Sequence, residues 1–267
     1  MGEVARTMAE LKRVGKKALM PFITAGFPTR ESFPPLLAAV SQLADVVEIG
    51  VPFSDPLADG PIIQHTSHVA LEQGVTLPWI LETLSDPRVR EQVKAPLVLM
   101  SYLNPLLQLR MESILEAAQP AGIAGMIVPD LPVEEGREFE TLAGDHHVDL
   151  IYLMAPTTGD QRARRIAEQS QGFIYLVSVT GVTGARDEFP PETVAFLKRV
   201  RALTDKPICV GFGISRPEQV RHIAPHVDGV IIGSGLLRVV MEHPSDSIGA
   251  AKEFLLPFRQ ALEEVAL

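Results

Sequence analysis

The chain of 267 residues is acidic and rich in apolar residues: its formal net charge is -9, and 46% of its residues are hydrophobic. A negative surface repels DNA and anionic lipid, so we expect no nucleic-acid partner and no role on a membrane surface. The single cysteine, Cys209, excludes an intrachain disulfide and a cysteine-based zinc site. No apolar run approaches the ~18 residues of a membrane span, and no signal peptide is visible, so we expect a cytoplasmic protein.

Short apolar runs alternate with helical patterns along the chain. The apolar runs predict eight strands, at residues 18–24, 46–49, 96–100, 125–128, 148–153, 173–177, 208–210 and 229–232. The helical patterns between and after them cover residues 31–43, 62–73, 78–91, 111–119, 134–143, 160–169, 191–203, 217–223, 236 onward and 248–265. Val4, Met8 and Leu11 predict one further helix before the first strand, and Thr29 is the expected N-cap of the helix at 31–43.

The predicted strands are apolar throughout rather than alternating, which is typical of a parallel sheet covered by helices on both faces. Eight strand–helix units in about 250 residues fit a (β/α)8 barrel. We therefore predict an α/β protein with one barrel domain over residues 1–267, an N-terminal helix and extra short helices in the βα loops. A doubly wound open sheet is the alternative, but no G-x-G-x-x-G motif follows the first strand.

Two carboxylates flank the loop after the second predicted strand. Glu48 lies within the apolar run, and Asp59 lies near the end of a loop rich in Pro, Asp and Gly. Active sites of such barrels lie at the C-terminal ends of the strands, and side chains alternate along a strand, so Glu48 can point into the barrel with Val46. Desolvation there raises a carboxyl pKa toward the range useful for proton transfer. From position alone, a structural glutamate and a turn aspartate remain open alternatives.

Glycine-rich turns follow the last three predicted strands, at residues 181–186, 211–215 and 233–235. Barrels often bind phosphate with the loops after strands seven and eight and a helix N-terminus, where glycine lets backbone amides approach an anion. These turns therefore favour a phosphate site, although ordinary tight turns are the alternative. The histidines form no ligand set, and we expect no metal site.

Six motifs carry a close resemblance to one known family. They are PFITAGFP at 21–28, EIGVPFSDPLADGP at 48–61, VPDLP at 128–132, GVTG at 181–184, GFGIS at 211–215 and GS at 233–234. The motifs occur in the family's order over nearly the whole chain, and the second is highly specific. By these motifs the chain resembles the α subunit of tryptophan synthase.

The resemblance implies a lyase that cleaves indole-3-glycerol phosphate to indole and glyceraldehyde 3-phosphate in a retro-aldol reaction. It implies that Glu48 is the acid/base and that Asp59 accepts the indole N–H. It also implies a β-subunit partner in an α2β2 complex, which receives indole and carries pyridoxal phosphate, so that no cofactor is expected in this chain.

The resemblance further assigns three groups of residues. The phosphate-binding positions are Gly184, Gly213, Gly233 and Ser234. The substrate pocket is lined by Phe22, Tyr102, Ile127, Tyr175, Thr183 and Phe212. The partner interface includes Pro52, Asp55, Pro56, Asn104, Asp130 and Pro132.

Two other hypotheses share these motifs. One is a stand-alone lyase that releases free indole, which the sequence barely separates from the complexed enzyme. The other is a non-catalytic regulatory partner that binds β and phosphate. Such a partner is expected to have lost Glu48 or Asp59, and both acids are present.

Overall fold

A parallel sheet forms the centre of the fold in the computed structural model, which describes residues 1–177, 189–211 and 213–265. The described strands are β1 (Ala18–Thr24), β2 (Val47–Gly50), β3 (Leu97–Met100), β4 (Ile123–Ile127), β5 (Asp149–Ile151), β6 (Leu153–Met154), β7 (Ile174–Val177), β8 (Ile208–Gly211) and β9 (Gly229–Ile232). Their order in the sheet is β5-β4-β3-β2-β1-β9-β8-β7-β6. The two outermost strands of this order, β5 and β6, follow one another in the chain, so the sheet curls into a barrel.

The fifth predicted strand is divided at Tyr152, which separates β5 from β6. Tyr152 connects β5, which pairs with β4, to β6, which pairs with β7, and the Tyr175 backbone N–H donates to the Tyr152 carbonyl oxygen at 3.0 Å. The (β/α)8 barrel predicted from the sequence is confirmed, with β5 and β6 as the two halves of one barrel strand.

Helices follow the strands and cover the outside of the barrel. The α-helices described are α1 (Glu3–Arg13), α2 (Phe33–Ser41), α3 (Pro61–Glu72), α4 (Leu77–Ser85), α5 (Pro87–Arg90), α6 (Leu103–Leu107), α7 (Met111–Ala121), α8 (Arg137–Asp145), α9 (Asp160–Gln169), α10 (Pro191–Leu203), α11 (Pro217–Ile223), α12 (Ser234–Glu242) and α13 (Ser247–Val265). A 3-10 turn at Ala224–His226 follows α11. None of the helices in the described ranges is both long and apolar enough to cross a lipid bilayer.

The start of α2 differs from the prediction. The helix begins at Phe33 and its N-cap is Ser32, not Thr29. The hydroxyls of Thr29 and Ser32 hydrogen-bond to each other at 3.0 Å, and the Thr29 backbone N–H also bonds the Ser32 hydroxyl at 3.0 Å. This local turn satisfies both side chains before the helix begins, which is why the cap lies three residues later than expected.

The apolar side chains form an outer and an inner cluster. Val47 and Ile49 belong to the outer cluster, which lies between the sheet and the helices. Val46 belongs to the inner cluster, which fills the barrel. Strand alternation therefore turns Glu48 into the barrel, as predicted.

The first helix, α1, closes the N-terminal end of the barrel. Its Val4 and Met8 are buried in the inner cluster. The Ala5 backbone N–H donates to the carboxylate of Asp149, the first residue of β5, at 2.9 Å. With this end closed, access to the barrel interior is left to the C-terminal ends of the strands.

The last helix is tied to the sheet by a half-buried ion pair. Arg259 of α13 lies 2.7 Å from the Asp45 carboxylate, and each side chain is only 18% exposed. The same Asp45 oxygen accepts the backbone N–H of Leu19 in β1 at 2.8 Å. Asp45 thus joins the start of β1 to the helix that covers it.

We expect Asp45→Ala to lower the free energy of unfolding by roughly 2–4 kcal/mol, because it removes the carboxylate that pairs with Arg259 and the acceptor of the Leu19 N–H, although Arg259 keeps its bonds to the Leu43 carbonyl oxygen. Urea unfolding followed by circular dichroism measures the change. Glu10→Ala is the control, since it removes a pair with Arg13 whose side chains are 59% and 70% exposed, and it should change stability little. Equal effects in the two variants would contradict this role of Asp45.

Candidate active site

A cavity of about 370 Å³ opens at the C-terminal end of the barrel. This volume lies within the range of small-molecule sites. Its described lining is Phe22, Ala58, Asp59, Gly60, Ile63, Met100, Pro129, Leu153, Tyr175, Val177, Gly211, Gly213, Ile231, Gly233 and Ser234. Most of the surface is apolar, and Asp59 is the one carboxylic acid in the described lining.

Glu48 lies in the barrel interior beside this cavity. It is paired in register with Phe22 of β1 and with Val98 of β3, and it is 2% exposed. Within the described residues, neither oxygen of its carboxyl group has a hydrogen-bond partner. Burial raises the pKa of Glu48 to about 8, with a smaller contribution from the nearby charge of Asp59. The group therefore holds its proton at neutral pH and can donate it.

Asp59 has a more polar environment than Glu48. The Tyr102 hydroxyl donates to its Oδ2 at 3.1 Å, and α3 begins two residues later, which directs a positive helix end toward the carboxylate. Partial burial raises the pKa of Asp59, and the Tyr102 hydrogen bond opposes that rise. The two acids thus differ in what surrounds them: Glu48 has no described donor, whereas Asp59 has one.

The glycine turns after β8 and β9 face the same cavity. Gly233 directly precedes α12 and Ser234 is its first residue, so both lie at a helix N-terminus with free backbone N–H groups. Gly213 has a φ of 67°, a conformation that glycine adopts at no cost, and a Cβ there would meet no atom of the described residues within 4 Å apart from its chain neighbours. These three residues line the cavity together, where their backbone amides are candidate donors to an anion. Gly184, the fourth predicted phosphate residue, lies outside the described residues.

The predicted pocket residues are placed unevenly. Phe22 and Tyr175 lie on the cavity wall. Ile127 is buried in the inner cluster, and Tyr102 is directed toward the loop that carries Asp59; neither belongs to the described lining. Thr183 and Phe212 lie outside the described residues. Neither Tyr102 nor Ile127 is part of the described cavity wall, and their place in the indole slot stays a prediction.

Several wall residues were missed by the sequence reasoning. Met100 and Val177 are the last residues of β3 and β7, and each lines the cavity; so does Gly211, the last residue of β8, which was predicted only as part of the glycine turn at 211–215. Gly211 is required by its neighbour, because a Cβ at this position would lie 2.5 Å from the Tyr175 hydroxyl oxygen. The signal was available, since the rule that strand ends form the site applies to apolar residues as well as to acids.

The predicted interface residues surround the mouth of the barrel. Asp55, Asn104 and Asp130 are exposed, Pro56 and Pro132 are partly exposed, and Pro52 is buried. Two exposed apolar side chains lie among them and were not predicted: Leu57 is 97% exposed and Leu107 is 64% exposed. Within the described ranges, no group of three or more His, Cys, Asp or Glu side chains is placed to hold a metal ion.

The cavity has the Asp59 carboxylate on its wall, the carboxyl group of Glu48 beside it, and glycine turns at a helix N-terminus. Such a site in a barrel is typical of one class of protein: an acid–base enzyme for a phosphorylated substrate.

Residues 8–266 match the family described as "Tryptophan synthase alpha chain". A tryptophan synthase alpha chain from Carboxydothermus hydrogenoformans is 44% identical over 241 residues, 90% of each chain. Another from Chloroflexus aggregans is 43% identical over 267 residues, covering 99% of this chain and 100% of the relative.

Solved structures agree with these relatives. A tryptophan synthase alpha chain from Legionella pneumophila superposes with a TM-score of 0.90 at 33% identity, covering 99% of this chain and 98% of that one. A chain of the tryptophan synthase complex from Pyrococcus furiosus gives a TM-score of 0.83 at 32% identity, covering 91% and 98%. This chain belongs to the tryptophan synthase alpha chain family. The family, the lyase class and the α-subunit function predicted from the sequence are confirmed, and a stand-alone lyase is not favoured.

The buried Glu48 should make stability depend on pH. The folded protein holds the Glu48 proton up to a pKa of about 8, whereas an ordinary glutamate releases it near 4.5. The stabilising contribution of the bound proton is therefore complete below about pH 4.5 and is lost as the pH rises through 8.

We expect Glu48→Gln to unfold at nearly the same urea concentration as the parent near pH 4.5, and to be more stable by roughly 3–5 kcal/mol near pH 8.5. Urea unfolding at the two pH values provides the measurement. Glu253→Gln, on an exposed position of α13, should follow the parent at both. If Glu48→Gln also followed the parent at both pH values, a raised pKa for this group would be excluded.

Proposed function

We propose that this chain cleaves indole-3-glycerol phosphate to indole and glyceraldehyde 3-phosphate as the α subunit of tryptophan synthase. The single observation that supports it most is the buried Glu48 carboxyl group, which has no described hydrogen-bond partner and a pKa of about 8 beside a cavity that also contains Asp59. A protonated acid in an apolar site can protonate carbon at neutral pH.

The reaction requires two proton transfers at one end of the substrate. The carboxylic acid of Glu48 gives its proton to C3 of the indole ring, which makes the ring a leaving group. The carboxylate that results then takes the proton of the hydroxyl on the adjacent side-chain carbon. As that carbon becomes an aldehyde, the bond to C3 breaks and its electron pair returns to the ring. Glu48 ends the cycle protonated, as it began.

Asp59 has the second task in this scheme. Protonation at C3 leaves positive charge on the ring, centred at the nitrogen, and a carboxylate that accepts the N–H stabilises it. The Tyr102 hydroxyl and the start of α3 both favour the ionised form of Asp59. The two acids therefore work in opposite protonation states, which their different surroundings support.

The substrate phosphate is held, in this proposal, by the backbone amides at Gly213, Gly233 and Ser234, with Gly184 as a fourth position. The N-terminus of α12 favours the negative charge. Phe22 and Tyr175 provide apolar wall for the indole ring. Thr183 and Phe212 stay predictions of pocket residues from the resemblance.

The cofactor and partner of the complete enzyme follow from the same proposal. Both proton transfers are made by a side chain of this chain, so the α reaction uses no cofactor here, and pyridoxal phosphate belongs to the β subunit of an α2β2 complex. Asp55, Pro56, Asn104, Asp130 and Pro132 are proposed to contact that partner. The organisation of residues 1–267 as one domain and the cytoplasmic location stay predictions.

Glu48→Gln tests the assigned acid/base. We expect kcat for indole release to fall by at least ~10³-fold with KM for indole-3-glycerol phosphate nearly unchanged, because the amide keeps the shape but cannot transfer the proton. Indole formation with purified β subunit present is the assay, and circular dichroism verifies folding. Glu253→Gln serves as the matched exposed control, and turnover retained by Glu48→Gln would refute the assignment.

The loop before Asp59 should transmit the effect of the partner. We expect Asp55→Ala and Pro56→Ala to reduce the activation of indole release by the β subunit by roughly fivefold or more. Activity is measured with and without β, and binding of inorganic phosphate reports whether the glycine turns are intact. Glu10→Ala, in the helix at the opposite end of the barrel, should be activated like the parent. Activation unchanged in both loop variants would count against this route.

A further inference from the structure

We propose that Tyr102 is a positioning residue for Asp59: its hydroxyl fixes one oxygen of the carboxylate and the backbone just before it. This inference rests on the proposed function and deepens it, because it gives a task to a side chain that the resemblance assigns only to the apolar slot. The residue does not belong to the described cavity lining.

The direction of the two hydrogen bonds follows from simple counting. The Ala58 backbone N–H can only donate, and it donates to the Tyr102 hydroxyl oxygen at 2.9 Å. The hydroxyl has a single proton, which is directed to Asp59 Oδ2 at 3.1 Å. Asp59 is therefore the acceptor, and the acceptor role favours its ionised form over its neutral form.

Tyr102 is itself held firmly. It lies two residues after β3, is 6% exposed, and its ring packs on Phe53 with 5.2 Å between centroids. It directly precedes α6, whose first backbone N–H, at Leu103, donates to the Asp130 carboxylate at 2.8 Å. The hydroxyl thus extends from the end of a strand rather than from a second loop.

The loop that carries Asp59 has less support of its own. Ser54, Asp55, Leu57 and Ala58 are exposed. Inside the loop, the Asp59 backbone N–H reaches the Pro56 carbonyl only at 3.4 Å. Both bonds to Tyr102 are shorter than this contact. Gln64 of α3 also donates to the Asp59 backbone carbonyl oxygen at 2.8 Å, but among the described residues only Tyr102 donates to the Asp59 carboxylate itself.

The two carboxylate oxygens of Asp59 then have separate uses. Oδ2 accepts the Tyr102 hydroxyl, and no described residue donates to Oδ1. Since Asp59 lines the cavity, Oδ1 is the oxygen available to the indole N–H. A carboxylate anchored through one oxygen can meet the substrate with the other at little cost in side-chain entropy.

Removing the hydroxyl should therefore change how Asp59 titrates. The described ionisable groups that interact with this site are Glu48 on β2, Tyr175 on β7, Tyr102 after β3 and Asp130 after β4. Of these, the Tyr102 hydroxyl lowers the pKa of Asp59, against the rise caused by burial. The low-pH limb of the kcat profile reports the ionised aspartate, whereas the high-pH limb reports the protonated Glu48.

The test is Tyr102→Phe in the full chain, assayed for cleavage of indole-3-glycerol phosphate with β subunit present. We expect kcat to fall on the order of tenfold or more, KM to change less than about twofold, and the low-pH limb to move up by about one pH unit. Tyr152→Phe is the matched control. It also loses a tyrosine–carboxylate hydrogen bond, to Glu140 at 2.7 Å, but Tyr152 belongs to the outer cluster, and its kcat profile should equal that of the parent.

A second variant strengthens the hydrogen bond from position 102 to Asp59 instead of removing it, and it keeps both the ring and the hydroxyl. 3-Fluorotyrosine at position 102 is a stronger hydrogen-bond donor, so the low-pH limb should move down while the fold is kept. A third measurement combines Tyr102→Phe with Asp59→Asn, where the tyrosine change should add less than about twofold to the loss if it acts through Asp59.

A Tyr102→Phe profile identical to that of the parent overturns the inference. So does a rise in KM at unchanged kcat, which would make Tyr102 a wall of the pocket, or a full additive loss in the double variant. Parent and Glu48→Gln proteins are assayed in the same series. A parent that releases no indole contradicts the proposed function, whereas an active parent, an inactive Glu48→Gln and an unaffected Tyr102→Phe contradict this inference alone.

Discussion

The carboxyl group of Glu48 lies in the barrel interior at 2% exposure, and no described residue hydrogen-bonds to it. An unpaired polar group in such a place costs several kcal/mol, which few strands could tolerate. Here strand β2 is held on both sides, by β1 and by β3. The outer and inner apolar clusters offset the cost, and α1 closes the opposite end against water. The barrel can therefore keep Glu48 protonated in its interior, next to a cavity that is open to substrate.

The same burial explains why the two acids differ. Two ionised carboxylates in one dry site would repel each other, and the charge of Asp59 indeed helps to raise the pKa of Glu48. Asp59 lies on a loop instead of a strand, where a hydroxyl and a helix N-terminus can reach it. Glu48 is kept neutral because it is buried and no described residue hydrogen-bonds to its carboxyl group. Asp59 is favoured as an anion because the Tyr102 hydroxyl and the N-terminus of α3 lie beside it. Separate tasks on one substrate become possible because strand and loop provide different environments.

Much of this arrangement could be predicted from local sequence. Apolar runs, strand alternation at Glu48 and glycines before α12 are short-range features, and each depends on a few neighbouring residues. The division of the fifth strand at Tyr152 and the later start of α2 depend on contacts that periodicity does not describe. Tyr102 is the clearest case, because strand alternation does not determine which way a side chain points once the strand has ended. Its direction is decided by the Ala58 N–H and by the ring of Phe53, which are 44 and 49 positions earlier in the chain.

The geometry also indicates which of the two acids a partner would act on in the proposed enzyme. The exposed Leu57 lies two residues from Asp59, and α6, which carries the exposed Leu107, begins at the residue after Tyr102. A partner that contacts either surface would therefore affect the Tyr102 hydroxyl and the Asp59 carboxylate to which it donates a hydrogen bond. The position of Glu48 would change less on partner binding, since its backbone lies within β2, a strand paired on both sides. The β subunit would then regulate Asp59, the acid that stabilises the charge on the indole ring. Glu48, the proton donor, would keep the same environment whether or not the β subunit is bound.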